Sequence, residues 1–364
     1  MVKKTEGKLT ILLATGGTGG HIFPAISVAQ ELKKRGHDVM FLVDKRFNEK
    51  YIKMLGDIKV FKINSAPLSG NIIKKFISSI KITHGILQSL LKLKKLKPDM
   101  VIGFGGYPSF PTIIASILQA RPFMLHEQNS ILGKVNRLFS KKARHVATSF
   151  PDVSVMGNKH VTNIGNPVRE SFLAMQNDNY TDFDNKFYLL ITGGSMGATI
   201  FSEIVPKALA ALDRDLRYKI IITHQCGKGD NPEEIKEQYY NIGIESEVDY
   251  FFNDIDQKIF NSHLIICRAG ASTIAEIATV GRPAIMVPYP YSADNHQYYN
   301  ALHVETNNGG WLYKQEDFSE ASLSRKLIEL LNNKNKLSYA ANQMKKLNKP
   351  QAAENFSNLI EEYF

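Results

Sequence analysis

Apolar and polar positions follow one another in blocks along the whole chain. Short runs that are apolar at nearly every position are typical of strands buried on both faces of a parallel sheet. Between them, apolar residues recur every three or four positions, as they do on the buried face of a helix. The alternation of the two patterns predicts an α/β fold built on parallel sheets. The predicted strands are 9–14, 37–44, 58–63, 100–104, 123–126 and 145–149 in the first half and 218–223, 248–252, 264–267, 284–287 and 311–313 in the second.

The first predicted strand runs directly into a glycine-rich loop, TGGTGG at 15–20, and then into an amphipathic helix. Backbone N–H groups at such a loop and helix start attract anions, most often phosphate. His21 stands at the edge of this loop. The stretch therefore predicts a phosphate-type site with one titratable side chain beside it.

The same motif returns in the second half of the chain. Residues 189–200, LLITGGSMGATI, repeat 12–23, LLATGGTGGHIF, at a constant offset of 177 positions. A repeat this distant predicts two similar α/β domains, each with a glycine loop, that face a common cleft. The segment GNPVR and the polar stretch after it mark the boundary. We therefore expect domains at 1–165 and 166–346, with a C-terminal amphipathic helix at about 347–364 that packs back on the first domain.

At 364 residues the chain is long enough for two domains of ordinary size. Its hydrophobic fraction of 43% and charged fraction of 22% are those of a soluble globular protein. Cys226 and Cys267 are too few for a disulfide framework, which favours a reducing, cytoplasmic location. The sequence carries no recognisable signal peptide and no apolar stretch of about 18 residues or more, so it predicts no membrane-spanning segment.

The net charge of +10 calls for an anionic partner such as a nucleotide, a nucleic acid or a membrane surface, unless it is a basic solubility bias. Residues 58–98 hold nine lysines and no acidic residue. Apolar residues recur through this segment at helical spacing, from Ile73 to Leu91. The pattern fits a basic amphipathic helix on an anionic membrane surface. It fits equally a helix whose apolar face turns to the core and whose lysines are solvated.

Further polar or glycine-rich loops follow predicted strands, and ligands of doubly wound sheets bind at those strand ends. In the first half they are GFGGYP at 103–108 and HEQN at 126–129. In the second half they are RAGASTIAE at 268–276 and PYPYSADNHQ at 288–297. Glu276 is expected one turn into a helix, where a carboxylate can accept both hydroxyls of a ribose. Taken alone, an acid at that place is more often an ordinary first-turn residue.

Two other classes of protein stay open on these residues. A dinucleotide-dependent oxidoreductase would use Gly17, Gly19 and Asp44. Against it, Ile22 replaces the third glycine of that fingerprint, and the second glycine loop is left unexplained. The other class is a regulatory or scaffold protein that binds a ligand at these loops without catalysis. Three Asp-x-Asp strings fall in a predicted linker, a helix end and a helix cap, so we expect no metal site.

Taken together, the loops resemble those of the MurG family of glycosyltransferases. The matching pieces follow the family's order over nearly the whole chain and are GGTGGH, GGYPS, HEQN, GNPVR, GGSMGA, HQCGKG, RAGASTIAE and DNHQYYNA. The resemblance implies a GT-B fold, with two Rossmann-like domains facing a cleft and no required metal or cofactor. It implies an inverting transfer of N-acetylglucosamine from UDP-N-acetylglucosamine to the 4-hydroxyl of the muramyl sugar of lipid I, the undecaprenyl-pyrophosphoryl muramyl peptide. The product is lipid II, an intermediate of peptidoglycan synthesis.

The resemblance also divides the work between the domains. The first would bind the acceptor and the membrane, and the second would bind the UDP-sugar donor. Segment 58–98 matches the family's membrane-facing region in position and character. The implied location is the cytoplasm, peripherally attached to the cytoplasmic face of the cell membrane, and no nucleic-acid partner is expected.

Carried over position by position, the resemblance assigns the donor contacts. These are Thr18, Gly19, Gly20, Asn129, Arg169, Ser195, Phe252, Ala271, Ser272, Thr273, Ile274, Ala275, Glu276 and Gln297. Glu276 would hold the uridine ribose and the Ser195 loop the pyrophosphate, whose growing charge the loop amides would stabilise. His21 is the candidate general base, with binding of the acceptor diphosphate or helix capping as the other interpretations. The chain departs from the family at Met196 and His296, where glutamine is usual.

Overall fold

The computed structural model describes residues 7–45, 47–68, 70–155, 157–194 and 197–364. The chain forms two units, each with its own hydrophobic core. Unit 1 consists of Met1–Arg169 and Lys349–Phe364, and unit 2 of Glu170–Asn348. The boundaries expected from the sequence, after 165 and 346, lie a few residues earlier.

Each unit contains one parallel sheet. In the described part of unit 1 the strands are β1 (Thr10–Thr15), β2 (Asp38–Asp44), β3 (Lys59–Ile63), β4 (Met100–Gly103), β5 (Phe123–Glu127), β6 (Val146–Thr148) and β7 (Val161–Asn163). In the described part of unit 2 they are β8 (Phe187–Thr192), β9 (Ile220–Gln225), β10 (Glu245–Asp249), β11 (Leu264–Cys267), β12 (Ala284–Met286) and β13 (Gly310–Leu312). The strand orders are β3-β2-β1-β4-β5-β6-β7 and β10-β9-β8-β11-β12-β13. Because the order reverses beside the first strand of each sheet, both sheets are doubly wound, and the predicted α/β fold class is confirmed.

Helices connect the strands, as the three- and four-residue spacing predicts. Those within the described residues are α1 (Gly19–Lys34), α2 (Glu49–Met54), α3 (Ile72–Leu96), α4 (Gly106–Leu118), α5 (Lys134–Phe139), α6 (Glu170–Leu173), α7 (Thr199–Ala210), α8 (Arg214–Arg217), α9 (Pro232–Asn241), α10 (Ile255–Asn261), α11 (Ala271–Val280), α12 (His296–Thr306), α13 (Glu320–Leu331), α14 (Lys334–Lys346) and α15 (Ala352–Glu361). Over the part of the chain that the structure describes, no helix is both long enough and apolar enough to cross a membrane.

Two edge strands differ from the prediction. The sequence does not predict β7, because a strand of three residues with Val161 36% exposed carries no apolar run. The strand predicted at 248–252 is wrong in position, since β10 ends at Asp249. Alternate residues of β10 are exposed, so its sequence, ESEVD, lacks the apolar signal. The apolar residues that suggested the strand lie in the connection after it.

Helix α3 presents its large apolar residues to solvent. It begins after Asn71, whose side chain accepts the backbone N–H of Lys74. The residues that face the protein are Ser78, Gly85, Ser89 and Leu93, and a Cβ on Gly85 would overlap the carbonyl oxygen of Asn64. The interpretation in which the apolar face of this helix turns to the core is therefore wrong. The outward apolar residues are 46–85% exposed and are Ile72, Ile73, Phe76, Ile77, Ile80, Leu87 and Leu91.

The C-terminal helix α15 packs on α1 and completes unit 1. Phe356 and Ile360 are fully buried in the core cluster that also holds the apolar face of α1. At the far end of α1, Arg35 donates to one carboxylate oxygen of Glu361 at 2.8 Å. The Nε2 of His37 lies 2.9 Å from the other oxygen. Apolar burial and these polar contacts together fix the last helix of the chain to the first unit.

Candidate active site

The glycine loop of unit 1 lies at the carboxyl end of β1, beside the point where the strand order reverses. Gly16 has a φ of +146°, and a Cβ on it would lie 3.0 Å from Cβ of Pro108 in α4. Only glycine combines this backbone conformation with so close an approach. Thr18 is the exposed residue before α1, and Gly19 and Gly20 form its first turn. These three predicted residues therefore lie together at the start of α1, directly after the glycines that pack on Pro108.

His21 is the third residue of α1 and is half-buried. Its Nδ1 lies 2.8 Å from the carbonyl oxygen of Phe104 and 3.2 Å from Oε1 of Gln128. Because a carbonyl oxygen can only accept a hydrogen bond, Nδ1 carries the proton in the neutral ring and Nε2 carries the lone pair. Nε2 faces Gly106, where a Cβ would lie 3.4 Å away. The atom that can take up a proton thus points toward the turn that begins α4.

His126 is more deeply buried than His21 and is not accessible to a substrate. Its ring is fully buried and lies 5.4 Å from the ring of Phe104 and 5.7 Å from that of Phe356, measured between centroids. Burial lowers the pKa of His126 to about 3. The residue is therefore neutral at physiological pH and serves as part of the packing beneath the site.

The HEQN loop is shaped by the carboxylate of Glu127, which is 1% exposed. One oxygen accepts the backbone N–H of Asn129 at 3.0 Å and its side-chain amide at 3.3 Å. The other accepts the backbone N–H of Gly133 at 2.8 Å and the side-chain amide of Asn136 at 2.9 Å. These four hydrogen bonds compensate the burial of the charge and fix the predicted donor contact Asn129. Glu127 lies inside the HEQN motif, but its supporting role is not predictable from the sequence.

Arg169, the last residue of the first segment of unit 1, lies over α1. Its guanidinium carbon is 4.7 Å from the ring centroid of Phe23, a cation–π geometry. The same ring would be 2.9 Å from a Cβ on Gly19. Phe23 therefore links the predicted contact Arg169 to the first turn of α1.

The second glycine loop follows β8, and its predicted contact Ser195 lies outside the described residues, as does Met196. Gly197 has a φ of +68°, and a Cβ there would overlap the carbonyl oxygen of Cys226. The neighbouring loop is held by Asp230, whose carboxylate accepts the backbone N–H of Gly227 at 2.6 Å. The loop that precedes α7 therefore needs glycine at 197 to pack on the loop after β9.

The predicted segment Ala271–Glu276 forms the first six residues of α11. Ala271 and Ile274 are buried in unit 2, whereas Ser272, Thr273 and Ala275 are half-buried. Glu276 is 8% exposed and is the sixth residue of α11, one turn into the helix as expected and therefore not a first-turn acid. Because the helix dipole acts within the first turn, it does not account for a charge at this position.

The two remaining predicted contacts are Phe252, in the connection after β10, and Gln297, the second residue of α12. Phe252 is 6% exposed, with Nζ of Lys258 5.6 Å from its ring centroid. Gln297 accepts the backbone N–H of Tyr289 at 2.9 Å through Oε1. Its side chain thereby ties the start of α12 to the loop that leaves β12, and the ring of Phe252 serves packing.

Arg268 holds the loop that follows β12 through hydrogen bonds to its backbone. Its guanidinium donates to the carbonyl oxygens of Val287 at 3.0 Å and Pro288 at 3.1 Å, and to Oε1 of Gln315 at 2.7 Å. Burial lowers the pKa of Arg268. Arg268 is the first residue of the motif RAGASTIAE, and no function is predicted for it from the sequence. A cavity of about 690 Å³ lies beside the loop and is lined by Ile200, Pro288, Pro290, Asn295, Tyr298, Lys314, Gln315 and Glu316.

Within the described ranges, no group of three or more histidine, cysteine, aspartate or glutamate side chains is arranged to hold a metal ion. Each unit instead collects backbone amides and polar side chains at the carboxyl edge of its sheet. In unit 1 the predicted residues surround the first turn of α1, and in unit 2 they lie at α11 and α12.

Two family models match the chain. The N-terminal domain of glycosyltransferase family 28 matches residues 11–148, and the C-terminal domain of the same family matches 188–359. The UDP-N-acetylglucosamine–N-acetylmuramyl-(pentapeptide) pyrophosphoryl-undecaprenol N-acetylglucosamine transferase of Rhodospirillum centenum is 39% identical over 355 residues, 96% of this chain and 93% of that protein. The protein of the same name from Wolbachia pipientis of Culex pipiens is 39% identical over 340 residues, 93% of this chain and 94% of that protein.

A solved structure shares the fold over almost the full length. MurG of Acinetobacter baumannii superposes with a TM-score of 0.79 and 29% identity, over 97% of this chain and 99% of that one. The similarity thus extends through both sheets, both glycine loops and the C-terminal helix. This similarity excludes the oxidoreductase alternative, in which Asp44 was expected to bind a ribose. The Asp44 side chain is 2% exposed. The chain has the GT-B fold and belongs to the MurG family within glycosyltransferase family 28.

Proposed function

We propose that this protein transfers N-acetylglucosamine from UDP-N-acetylglucosamine to the 4-hydroxyl of the muramyl sugar of lipid I. The family supports the reaction class, and the names of relatives at 39% identity support the two substrates. One observation carries the mechanism. The Nδ1 of His21 is engaged by the Phe104 carbonyl at 2.8 Å, which leaves Nε2 as the proton acceptor.

In this proposal the acceptor hydroxyl loses its proton to Nε2 of His21 while its oxygen attacks the anomeric carbon of the donor sugar. The bond from that carbon to the β-phosphate oxygen of UDP breaks, and UDP leaves with the bonding electrons. Attack from the face opposite the leaving group inverts the configuration. The proton on His21 then passes to water, which restores the neutral ring.

The leaving diphosphate gains negative charge, and the second glycine loop is proposed to stabilise it. Backbone amides that are already oriented by the packing of Gly197 need little reorganisation as the charge develops. Ser195 is assigned to the same diphosphate. Arg169, whose guanidinium stacks on Phe23, is assigned to the donor as well.

The other assigned donor contacts follow from where each side chain lies. Thr18, Gly19 and Gly20 offer backbone groups at the start of α1, and Asn129 is fixed by Glu127. Since the ring of Phe252 is buried, its backbone is the part assigned to uracil. Ala271, Ser272 and Thr273 offer backbone amides at the start of α11, whereas the N–H of Ile274 is bonded to the carbonyl of Gly270. Ile274 and Ala275 complete the assigned segment, and Gln297 is assigned to the sugar.

A radiolabel assay with UDP-N-acetylglucosamine and a lipid I analogue tests the reaction directly. The expected result is label in the lipid product that depends on both substrates. A thermal-shift comparison separates the alternatives, because a ligand that binds the folded state raises Tm. A shift with UDP but no transfer would indicate a binding protein without catalysis, and a shift with NAD alone would indicate an oxidoreductase.

Replacing Glu276 with alanine is expected to weaken UDP binding by about 10-fold to 100-fold. The reason is that the carboxylate is assigned to the ribose, and loss of one hydrogen bond to a charged group costs about 1.5–3 kcal/mol. Isothermal titration with UDP measures the change in Kd. Glu237→Ala, at an exposed site on α9, is the matched control and should leave Kd unchanged. Unchanged affinity in Glu276→Ala would remove the ribose assignment.

We further propose that the outward face of α3 attaches the protein to anionic membrane surfaces. Ile72 is 85% exposed, Ile73 70% and Phe76 67%, which is unusual for large apolar residues on one helix. Lysines 74, 75, 81, 92, 94 and 95 lie on the same helix. Apolar burial in the interface and attraction of about 1 kcal/mol per lysine would together support reversible attachment at the cytoplasmic face.

Replacing Phe76 with glutamate is expected to weaken binding to phosphatidylglycerol vesicles by about 10-fold or more. Burial of a phenylalanine side chain contributes about 1.5–3 kcal/mol, and the added carboxylate is repelled by the anionic surface. Vesicle co-sedimentation measures the partition, with phosphatidylcholine vesicles as the uncharged comparison. Tyr240→Glu, at an 81% exposed aromatic residue on α9, controls for the substitution itself. Equal loss in both variants would argue against a specific role of α3.

A further inference from the structure

Gln128 is 1% exposed and lies directly behind the candidate base. Its Nε2 donates to the carbonyl oxygen of Phe104 at 2.8 Å. Its Oε1 lies 3.2 Å from Nδ1 of His21. The same Nδ1 donates to the Phe104 carbonyl at 2.8 Å. The amide, the carbonyl and the imidazole therefore form a closed triangle of hydrogen bonds.

We infer that Gln128 is a positioning residue that fixes His21 in the tautomer with its proton on Nδ1 and its Nε2 directed toward Gly106. The inference rests on the proposed function, in which Nε2 is the base. Gln128 itself touches neither substrate in this proposal and acts only through the ring of His21.

The orientation of the Gln128 amide follows from its partners. With the amide reversed, its oxygen would face the Phe104 carbonyl oxygen and its NH₂ group would face Nδ1–H, so both contacts would be repulsive. Phe104 is itself fixed, because its backbone N–H donates to the carbonyl oxygen of Ala14 in β1 at 3.0 Å. Two acceptors thus face Nδ1 of His21. The other tautomer would place the lone pair of Nδ1 against both oxygens.

The surroundings of the triangle explain why a neutral amide stands at this position. The titratable side chains on the elements packed against His21 are His126 and Glu127 of β5 and Tyr107 of α4. The guanidinium of Arg169 also stacks on Phe23, two residues further along α1. Burial holds the pKa of His126 at about 3, so that ring is uncharged. The Glu127 carboxylate is occupied by donors from the 129–136 segment. A carboxylate in place of the Gln128 amide would stabilise the imidazolium of His21 and remove the free base.

Two substitutions separate the parts of this role. Gln128→Met keeps the length of the side chain and removes both hydrogen bonds. It is expected to lower kcat about 10-fold with the KM for UDP-N-acetylglucosamine within about 2-fold, because the ring is no longer held in the reactive tautomer. Gln128→Glu keeps an acceptor for Nδ1 and adds charge. It is expected to move the acidic limb of the pH–rate profile upward by about one pH unit.

The matched control is Gln119→Met. Gln119 also donates its Nε2 to a backbone carbonyl, that of Leu90 at 2.7 Å, but it follows α4 at the end opposite to Gly106. It should leave both kcat and the pH profile unchanged. An equal loss of kcat in the two methionine variants would overturn the inference.

Nitrogen-15 NMR of the imidazole side chains reports the tautomer without reference to activity, with His21→Gln used to assign the His21 signals. The wild type should show Nδ1–H, and Gln128→Met should show a mixture with Nε2–H. A Gln128→Met signal identical to the wild type would overturn the inference. So would a Gln128→Glu profile that does not move although His21→Gln removes the acidic limb. A tautomer change in Gln128→Met together with normal turnover in His21→Gln would support the positioning role and reject His21 as the base. The two proposals can thus fail separately.

Discussion

Replacing His21 with alanine is expected to lower kcat by about 10²-fold to 10⁴-fold, the usual contribution of a positioned general base. The effect should be this large because Nε2 is the ring atom left free by the pairing of Nδ1 with Phe104 and Gln128. The fold should survive the change. The backbone of His21 stays in α1, and its carbonyl oxygen accepts the hydroxyl of Thr15 at 2.9 Å.

His21→Gln sharpens the test, since glutamine can still donate to the Phe104 carbonyl but cannot take up a proton at neutral pH. Its kcat should fall as far as that of His21→Ala, and the acidic limb of the pH–rate profile should disappear in both. His160→Ala is the matched control, at an exposed histidine just before β7. It should behave as the wild type.

The radiolabel assay with varied lipid I analogue separates the base from its alternatives. If His21 instead binds the acceptor diphosphate, the KM for the acceptor will rise while kcat stays near normal. If His21 only caps the helix, stability will fall and both kinetic constants will change little. Either of these results would contradict the base assignment.

Much of the fold could be predicted from the sequence because its central strands are buried on both faces. β1 and β11 read as uninterrupted apolar runs, a pattern that no exposed element shares. The edge strands gave weaker signals. The three residues of β7 are all at least partly exposed, and every second residue of β10 is exposed to solvent. Neither strand therefore carries an apolar run. The apolar run lies in the residues after β10, so the strand was predicted too late in the sequence.

The direction in which α3 faces could not be predicted from amphipathicity. Its pattern shows that apolar residues share one side, but not which side the protein covers. The deciding residues are Gly85 and Ser89, since their small size lets α3 approach the rest of unit 1 closely. Apolar residues on one side of a helix usually face the core, but most of the large ones in α3 face solvent.

The candidate site could be predicted as far as its glycine loops, and less well in its supporting side chains. Positive φ angles at Gly16 and Gly197 leave a clear mark in the sequence. The roles of Glu127 and Gln128 depend on backbone groups distant in the chain, such as the carbonyl of Phe104, so only the folded structure reveals them. Glu276 lies one turn into α11 as expected, but the sequence does not show that its carboxylate is buried.

The C-terminal helix connects the stability of unit 1 to this supporting layer. Phe356 in α15 is fully buried, with its ring 6.2 Å from that of Phe104 and 5.7 Å from that of His126. The carbonyl of Phe104 in turn holds His21. Loss of the Phe356 ring should therefore disturb the stability of unit 1 and the geometry of the base at once.

Phe356→Ala is accordingly expected to lower the free energy of unfolding of unit 1 by about 3–5 kcal/mol, the usual cost of a large buried cavity. For a unit of this size that corresponds to a fall in Tm of about 10 °C, measurable by calorimetry. Phe76→Ala is the matched control, because the same substitution at a 67% exposed site in the same unit should shift Tm by about 2 °C or less.

Well below the lowered Tm, kcat should still fall in Phe356→Ala, since the cavity lets Phe104 and its carbonyl move away from His21. Phe356→Leu, which refills most of the volume, should recover both properties in large part. A Phe356→Ala variant with the Tm of Phe76→Ala would show that α15 does not hold unit 1 together, and the link from this helix to the base would be lost with it.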